Sequence, residues 1–142
     1  MREHLFRGKA RSGKWVIGNL VISAPQKGSL SDRDYYIFPI EEEGMYLVDP
    51  KTVGEYTGLL DKNGFTKIFE GDIVPLLGNS YNAEIIFSCG CFCLIYRNIR
   101  LDDGKIKDVI VSMTMGTIPD NVENPFTVIG NIHDNPELLC SM

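Results

Sequence analysis

Three acidic side chains between Tyr56 and Val74 are the first candidates for chemistry: Asp61, Glu70 and Asp72. Two carboxyl groups near one substrate can act as a general acid–base pair when their environments separate their pKa values. However, Asp61 opens the pattern Asp-Lys-Asn-Gly, which is typical of a type I turn, and Asp72 follows a glycine at a second bend. We therefore predict that Asp61 and Asp72 shape turns. Glu70, for which a turn offers the weakest explanation, is the best site candidate of the three.

Three cysteines at alternate positions, Cys89, Cys91 and Cys93, raise the question of a thiolate metal site. Two sulfurs on one tetrahedral zinc ion lie about 3.8 Å apart, because each Zn–S bond is about 2.3 Å long. On a regular strand, positions two apart are separated by about 6.6 Å, which opposes both chelation and a disulfide. We therefore predict small buried residues of a core strand, with no metal and no cofactor. Cys140 is a lone thiol without a histidine beside it.

Basic residues are concentrated at the start of the chain. Residues 1–14 hold five basic residues and one acidic residue, whereas the whole chain has a net charge of -5. With Phe6 and Trp15 nearby, these cations could contact a nucleic-acid backbone and stack on a base. The alternative, which we favour, is a solvated edge hairpin whose charges block association between strands. The candidate nucleic-acid contacts are Arg2, Arg7, Lys9, Arg11 and Lys14.

Other catalytic patterns are missing from the sequence. The two histidines, His4 and His133, have no acid or nucleophile at a recognised spacing, so no catalytic triad is predicted. No glycine-rich phosphate loop occurs, so nucleotide hydrolysis and dinucleotide binding are not expected.

Strand signals dominate the elements that must position these residues. Runs rich in β-branched and aromatic residues alternate with turn signals such as Ser12-Gly13. We predict an all-β or β-dominated fold with seven or more strands and very little helix, namely one short turn at Asn135-Pro136. The run Ile106–Met113 is ambiguous between a strand and a short helix.

The strands are predicted to form two groups within a single domain of 142 residues. A barrel-like, SH3-like sheet would be formed by Gly71–Val74, the two apolar strands that follow it, and Phe126–Ile132. The N-terminal β-hairpins would form a second sheet packed with it. Two lobes, about residues 1–60 and about residues 61–142, are the alternative to one undivided body.

The apolar segments are too short for a membrane-spanning helix. The longest, Ile85–Tyr96, has 12 residues, and a spanning helix needs about 20. The basic residues at the start are not followed by the apolar region of a signal peptide. We therefore expect a cytoplasmic protein whose thiols stay reduced.

Four stretches together resemble one protein family. They are Phe6–Lys9 (FRGK), Trp15–Val21 (WVIGNLV), Val48–Val74 (VDPKTVGEYTGLLDKNGFTKIFEGDIV) and Val128–Leu139 (VIGNIHDNPELL). On these motifs the sequence is similar to the YopX family of bacteriophage and prophage proteins. The resemblance implies a β-rich fold and the cytoplasm of a bacterial host. The family has no established biochemical activity, so the resemblance carries over no catalytic residues.

These observations predict a non-enzymatic accessory protein that acts through protein–protein interaction, including self-association through exposed strand edges. The alternative is a nucleic-acid-associated regulator that uses the basic N-terminal hairpin. Neither a membrane nor a small-molecule partner is expected. An enzyme would require Glu70 and Asp72 to lie together in a deep pocket.

Overall fold

A computed structural model describes residues 3–24, 33–75, 81–113 and 126–139. The chain divides into two compact units, Met1–Gly58 and Leu59–Met142. Within the described ranges it forms eleven β-strands, two short 3-10 helices and no α-helix. The strands are β1 (Phe6–Lys9), β2 (Trp15–Ile22), β3 (Tyr35–Pro39), β4 (Tyr46–Val48), β5 (Gly54–Leu60), β6 (Lys67–Phe69), β7 (Asp72–Pro75), β8 (Asn82–Ser88), β9 (Cys91–Arg100), β10 (Ile106–Ser112) and β11 (Gly130–Asn131).

The first sheet has six strands in the order β4-β3-β2-β1-β5-β6, and the division between the units falls within β5. The predicted N-terminal hairpin is present: β1 and β2 pair antiparallel with Lys9 opposite Trp15. Its turn closes with the Gly13 N–H donating to the Ala10 carbonyl at 2.8 Å. Pro39 ends β3, as its missing N–H predicts.

Alternation along the strands builds the core of the N-terminal unit on one face of this sheet. In β2, even-numbered Val16 is buried, while odd-numbered Asn19 and Val21 are exposed. The core cluster of buried residues contains Ala10, Val16, Ile37 and Val48. The sheet also curls, because Ala10 and Val48 form an isolated bridge that links the ends of β1 and β4.

The second sheet belongs to the C-terminal unit and has five strands in the order β10-β9-β8-β7-β11. Its core cluster lies on the face formed by alternate residues of β8 and β9, and its buried members are Ile68, Val74, Ala83, Ile85, Phe92, Leu94, Tyr96 and Met113. The ambiguous run Ile106–Met113 is a strand over Ile106–Ser112, which pairs with β9. The helical turn predicted near the end of the chain is the 3-10 helix Pro136–Leu139.

The structure therefore confirms a β-dominated fold with two antiparallel sheets. It does not confirm the barrel-like, SH3-like detail. The strands that were predicted to form the barrel-like sheet do join one sheet, the five-stranded one. Among the described residues, however, the two end strands of that sheet, β10 and β11, are not paired with each other. No helix in the described ranges has the length and apolar character that crossing a membrane requires.

Candidate functional site

The face of the first sheet opposite its core carries the most distinctive set of exposed side chains in the N-terminal unit. We call this the outer face. The strand register places on it Arg7, Lys9, Trp15, Ile17, Asn19, Val21, Tyr36, Phe38 and Leu47. Because residues opposite each other in an antiparallel pair point to the same side, four strands contribute to one surface.

Large apolar side chains stand exposed on the outer face. Val21 lies opposite Tyr36, which in turn lies opposite Leu47, so these three cross neighbouring strands in a row. Val21 is 46% exposed, Leu47 48% and Phe38 39%. A row of this kind keeps apolar surface in water without any benefit to the core, and such patches commonly mark interaction sites.

Two cations lie on the same outer face, on β1. The Arg7 guanidinium lies 4.9 Å from the centroid of the Trp15 ring, and the Lys9 ammonium lies 5.8 Å from it. A cation over an indole ring is stabilised by about 0.5–1 kcal/mol at an exposed site. Arg7 and Lys9 therefore lie side by side on β1, and the Trp15 ring holds both.

Lys14, another of the predicted basic residues, is engaged by an acidic and an aromatic side chain. The Lys14 ammonium donates to the Glu42 carboxylate at 2.9 Å, and it lies 4.8 Å from the Tyr46 ring. The hydrogen bond to Glu42 raises the pKa of Lys14, and the same bond lowers the pKa of Glu42. Arg11 is exposed in the turn between β1 and β2, where it and Lys9 both line one cleft. Arg2 lies outside the described residues.

An open cleft of about 470 Å³ lies beside the β1–β2 turn. Its polar lining is largely committed to holding the backbone. Thr52 Oγ1 accepts a bond from the Lys9 N–H at 2.8 Å and donates to the Asp49 carbonyl at 2.6 Å. The Asp49 carboxylate caps the 3-10 helix Pro50–Thr52 by accepting from the Lys51 N–H. This cleft was not predicted from the sequence, although the run Asp49-Pro50 is a helix-start signal that could have located the cap.

Asp61 lies in the turn that its sequence pattern predicts, and it does more than close that turn. The Gly64 N–H donates to the Asp61 carbonyl at 2.8 Å, and one carboxylate oxygen accepts from the Asn63 N–H at 2.8 Å. The other oxygen accepts from the Val128 N–H at 2.6 Å. The buried carboxylate therefore ties the turn to the segment that precedes β11.

Asp72 begins β7 and is 1% exposed. Its carboxylate accepts from the Phe69 N–H at 2.8 Å across the bend between β6 and β7, where Gly71 has a φ of 94°. Glu70 lies in the same bend and is half-buried. The bonds of Asp61 and Asp72 to backbone N–H groups give both acids a structural role.

The cysteines depart from the spacing argument. Cys89 and Gly90 both have positive φ, 52° and 82°, and form the tight turn between β8 and β9. The Sγ atoms of Cys91 and Cys93 lie 3.6 Å apart. The estimate of 6.6 Å described the backbone positions, and it was wrong for the sulfurs because the two side chains lean toward each other. Two causes raise the pKa of the Cys93 thiol: burial is the larger, and the contact with Cys91 is the next.

The histidines occupy separate places and take part in local contacts. His4 Nδ1 lies 3.3 Å from a carboxylate oxygen of Glu55. The backbone N–H of His133 donates to the Asn131 side chain at 2.9 Å, within the turn after β11. In the described part of the chain, no group of three or more His, Cys, Asp or Glu side chains is arranged to hold a metal ion.

The molecule is thus a small β-sheet protein of two units, whose acids support turns and whose N-terminal sheet exposes an apolar face with two cations. The sequence model of the family described as YopX protein matches residues 6–140. The chain belongs to the YopX family. No curated protein matches the sequence significantly.

Proposed function

We propose that this chain is a non-enzymatic accessory protein that binds another protein through the outer face of its N-terminal sheet. The observation that carries the proposal is the exposure of large apolar side chains on three adjacent strands of the outer face, Val21, Phe38 and Leu47. Burial of such a row against a partner removes apolar surface from water, at about 25 cal/mol per Å².

The charges on this face indicate what kind of protein partner it fits. Arg7 and Lys9 lie on the same outer face as the apolar row, and the Trp15 ring holds both. A complementary surface would present an apolar patch together with Asp or Glu side chains. Trp and Arg at such a position are also the residue types that most often anchor protein interfaces.

A non-enzymatic role is supported by the uses of the candidate acids. The carboxylates of Asp61 and Asp72 accept hydrogen bonds from backbone N–H groups of their own turns. A carboxylate that organises a turn in this way is a structural group, because its lone pairs are aimed at the backbone. The lining of the cleft beside the β1–β2 turn includes neither acid.

The context of the proposed function is the cytoplasm of a bacterial cell that carries a phage or prophage, and the partner is a host or phage protein. A second copy of this chain is one such partner, because two copies of the outer face can pack on each other in a symmetric dimer.

The test is affinity capture from bacterial lysate with the wild-type chain and with Phe38→Ser/Leu47→Asp. Captured proteins are identified by mass spectrometry, purified and titrated against both chains. We expect the double variant to lose at least about tenfold in affinity, because each of its two positions removes apolar contact area. Phe65→Ser is the matched control, since Phe65 is 87% exposed but lies in the C-terminal unit.

Circular dichroism of each variant verifies that the sheets are intact. Sedimentation velocity distinguishes self-association from capture of a different protein. Equal affinity of wild type and double variant for the purified partner would refute the outer face as the binding site. A strictly monomeric chain that retains no partner would count against the whole proposal.

Nucleic-acid binding is the second candidate, and the location of Arg7 and Lys9 at the Trp15 ring, on the face that also carries Tyr36 and Phe38, favours it. Cations next to aromatic rings on a sheet face are used by proteins that bind single strands. Against it, the Arg7 guanidinium already lies over the Trp15 ring, and Lys14 is bound to Glu42. An electrophoretic shift with single-stranded DNA decides: a shift that weakens with salt and is lost in Arg7→Gln/Lys9→Gln would favour this candidate over the first.

A further inference from the structure

We propose that Cys91 and Cys93 form a two-thiol binding site for a soft, two-coordinate cation of the Cu(I) class. The two residues lie on the same face of β9, and their Sγ atoms are 3.6 Å apart. Two sulfur atoms at this distance are in van der Waals contact, so a small movement of either side chain brings both within bonding distance of one ion.

The pair lies on the face of the second sheet that is opposite its core. The core face of β9 carries Phe92 and Leu94, and the alternate positions carry the thiols. Cys93 is 5% exposed, while Cys91 is half-buried. A cation can therefore reach Cys91 from solvent, and Cys93 provides the shielded second ligand.

The described surroundings of the two sulfurs are polar. The Ser88 carbonyl oxygen lies 3.5 Å from the Cys91 sulfur and 3.8 Å from the Cys93 sulfur. Ser112 Oγ, on the neighbouring strand, lies 3.9 Å from the Cys91 sulfur. These oxygens are hard donors, which suits them to a supporting role around a soft ion rather than to direct ligation.

The donor set selects the class of cation. Thiolates prefer soft ions such as Cu(I), whereas Ca²⁺ and Mg²⁺ require six or more oxygen ligands or waters. A closed structural zinc site takes four ligands, and the described residues contain no group of three or more metal-binding side chains. The two thiolates of Cys91 and Cys93 match the low coordination number that Cu(I) accepts.

The binding step is a proton exchange without electron transfer. Two thiols release two protons and form two metal–sulfur bonds, so a monovalent cation gives a complex with one net negative charge. With metal–sulfur bonds of about 2.3 Å, the present separation corresponds to an angle of about 100° at the metal. Rotation of the half-buried Cys91 side chain widens this angle toward a straight S–metal–S arrangement.

The experiment uses the full reduced chain under anaerobic conditions, with Cu(I) presented as its complex with a chromogenic chelator. We expect the protein to withdraw one Cu(I) per chain. Cys91→Ser should weaken this binding by more than about a hundredfold, because loss of even an outer partner of a metal ligand costs 10–100-fold. Cys89→Ser and Cys140→Ser are the matched controls and should bind like the wild type.

Cys93→Ser should lose binding to the same degree as Cys91→Ser, and circular dichroism shows whether that buried substitution leaves the fold intact. If it does not, Cys91→Ser at the half-buried position carries the test alone. X-ray absorption of the loaded wild type should show coordination by sulfur. Binding that survives in Cys91→Ser, binding that disappears in Cys89→Ser or Cys140→Ser, or no transfer of Cu(I) from the chelator would overturn the proposal.

Discussion

At the scale of the residue, Asp61 shows how one side chain can combine local and distant roles. Its carboxylate accepts the Asn63 N–H two residues away and the Val128 N–H 67 residues away. The first bond is the one that an aspartate at the start of a type I turn makes. The second fastens a distant segment to the turn, and both bonds are made by a residue that is 6% exposed.

Asp61→Ala is expected to destabilise the protein by about 2–4 kcal/mol, because it leaves two backbone N–H groups without their charged acceptor. The matched control is Asp103→Ala. Asp103 accepts one bond from the Lys105 N–H in an exposed turn, so its loss should cost about 1 kcal/mol or less. Urea unfolding of the three chains measures both changes. Equal stability of the two variants would contradict the role of the Val128 bond.

At the scale of the element, the pairing of β2 with β3 depends on a glycine. A Cβ atom at Gly18 would overlap the carbonyl oxygen of Phe38 on the facing strand. The two backbones therefore approach each other at a point where no other residue fits. The family motif Trp15–Val21 contains this glycine, and the close approach of the neighbouring strand is the physical reason for a glycine there.

Gly18→Ala is expected to lower the free energy of unfolding by about 2–3 kcal/mol, because the added methyl group pushes β3 away from β2. Asn19→Ala, at the adjacent exposed position, should change stability by only about 0.5 kcal/mol. Urea unfolding with fluorescence of Trp15, which lies on β2, reports both. A Gly18→Ala protein as stable as Asn19→Ala would show that β3 can move aside without loss.

At the scale of the whole molecule, charge and core size differ between the two units. Residues 1–58 contain eight basic and eight acidic residues, and residues 59–142 contain six and eleven. The net charge of -5 thus belongs to the C-terminal unit. Among the described residues, the buried core cluster has four members in the N-terminal unit and eight in the C-terminal unit.

This difference predicts that the N-terminal unit opens at a lower free energy. In native-state hydrogen exchange, we expect amides of β1–β4 to exchange before those of β8 and β9, which have the larger core. Ile37→Ala should then accelerate exchange in β1–β4 and leave β8 and β9 unchanged, since Ile37 belongs to the smaller cluster. Ile85→Ala, in the larger cluster, is the matched variant and should instead accelerate exchange in β8 and β9. Uniform acceleration throughout the chain in both variants would indicate a single cooperative unit.

Much of the fold could be predicted from the sequence because its signals are local. The Asp61–Gly64 turn, the end of β3 at Pro39, the N-terminal hairpin and the last helical turn each depend on a few neighbouring residues. Family membership was likewise readable from short motifs. The candidate site was only half predicted: Arg7 and Lys9 were named, but the apolar residues Phe38 and Leu47 of the same face were not.

What the sequence by itself determined is the class of the molecule: a β-dominated chain whose acids and glycines serve turns. Only the tertiary structure decided which strands meet, and therefore that Val21, Tyr36 and Leu47 share one row. It also decided that the sulfurs of Cys91 and Cys93 touch. The physical reason is the separation along the chain of the residues that decide each feature. Turn and alternation patterns depend on near neighbours, whereas strand register and side-chain rotation depend on groups that the whole fold brings together.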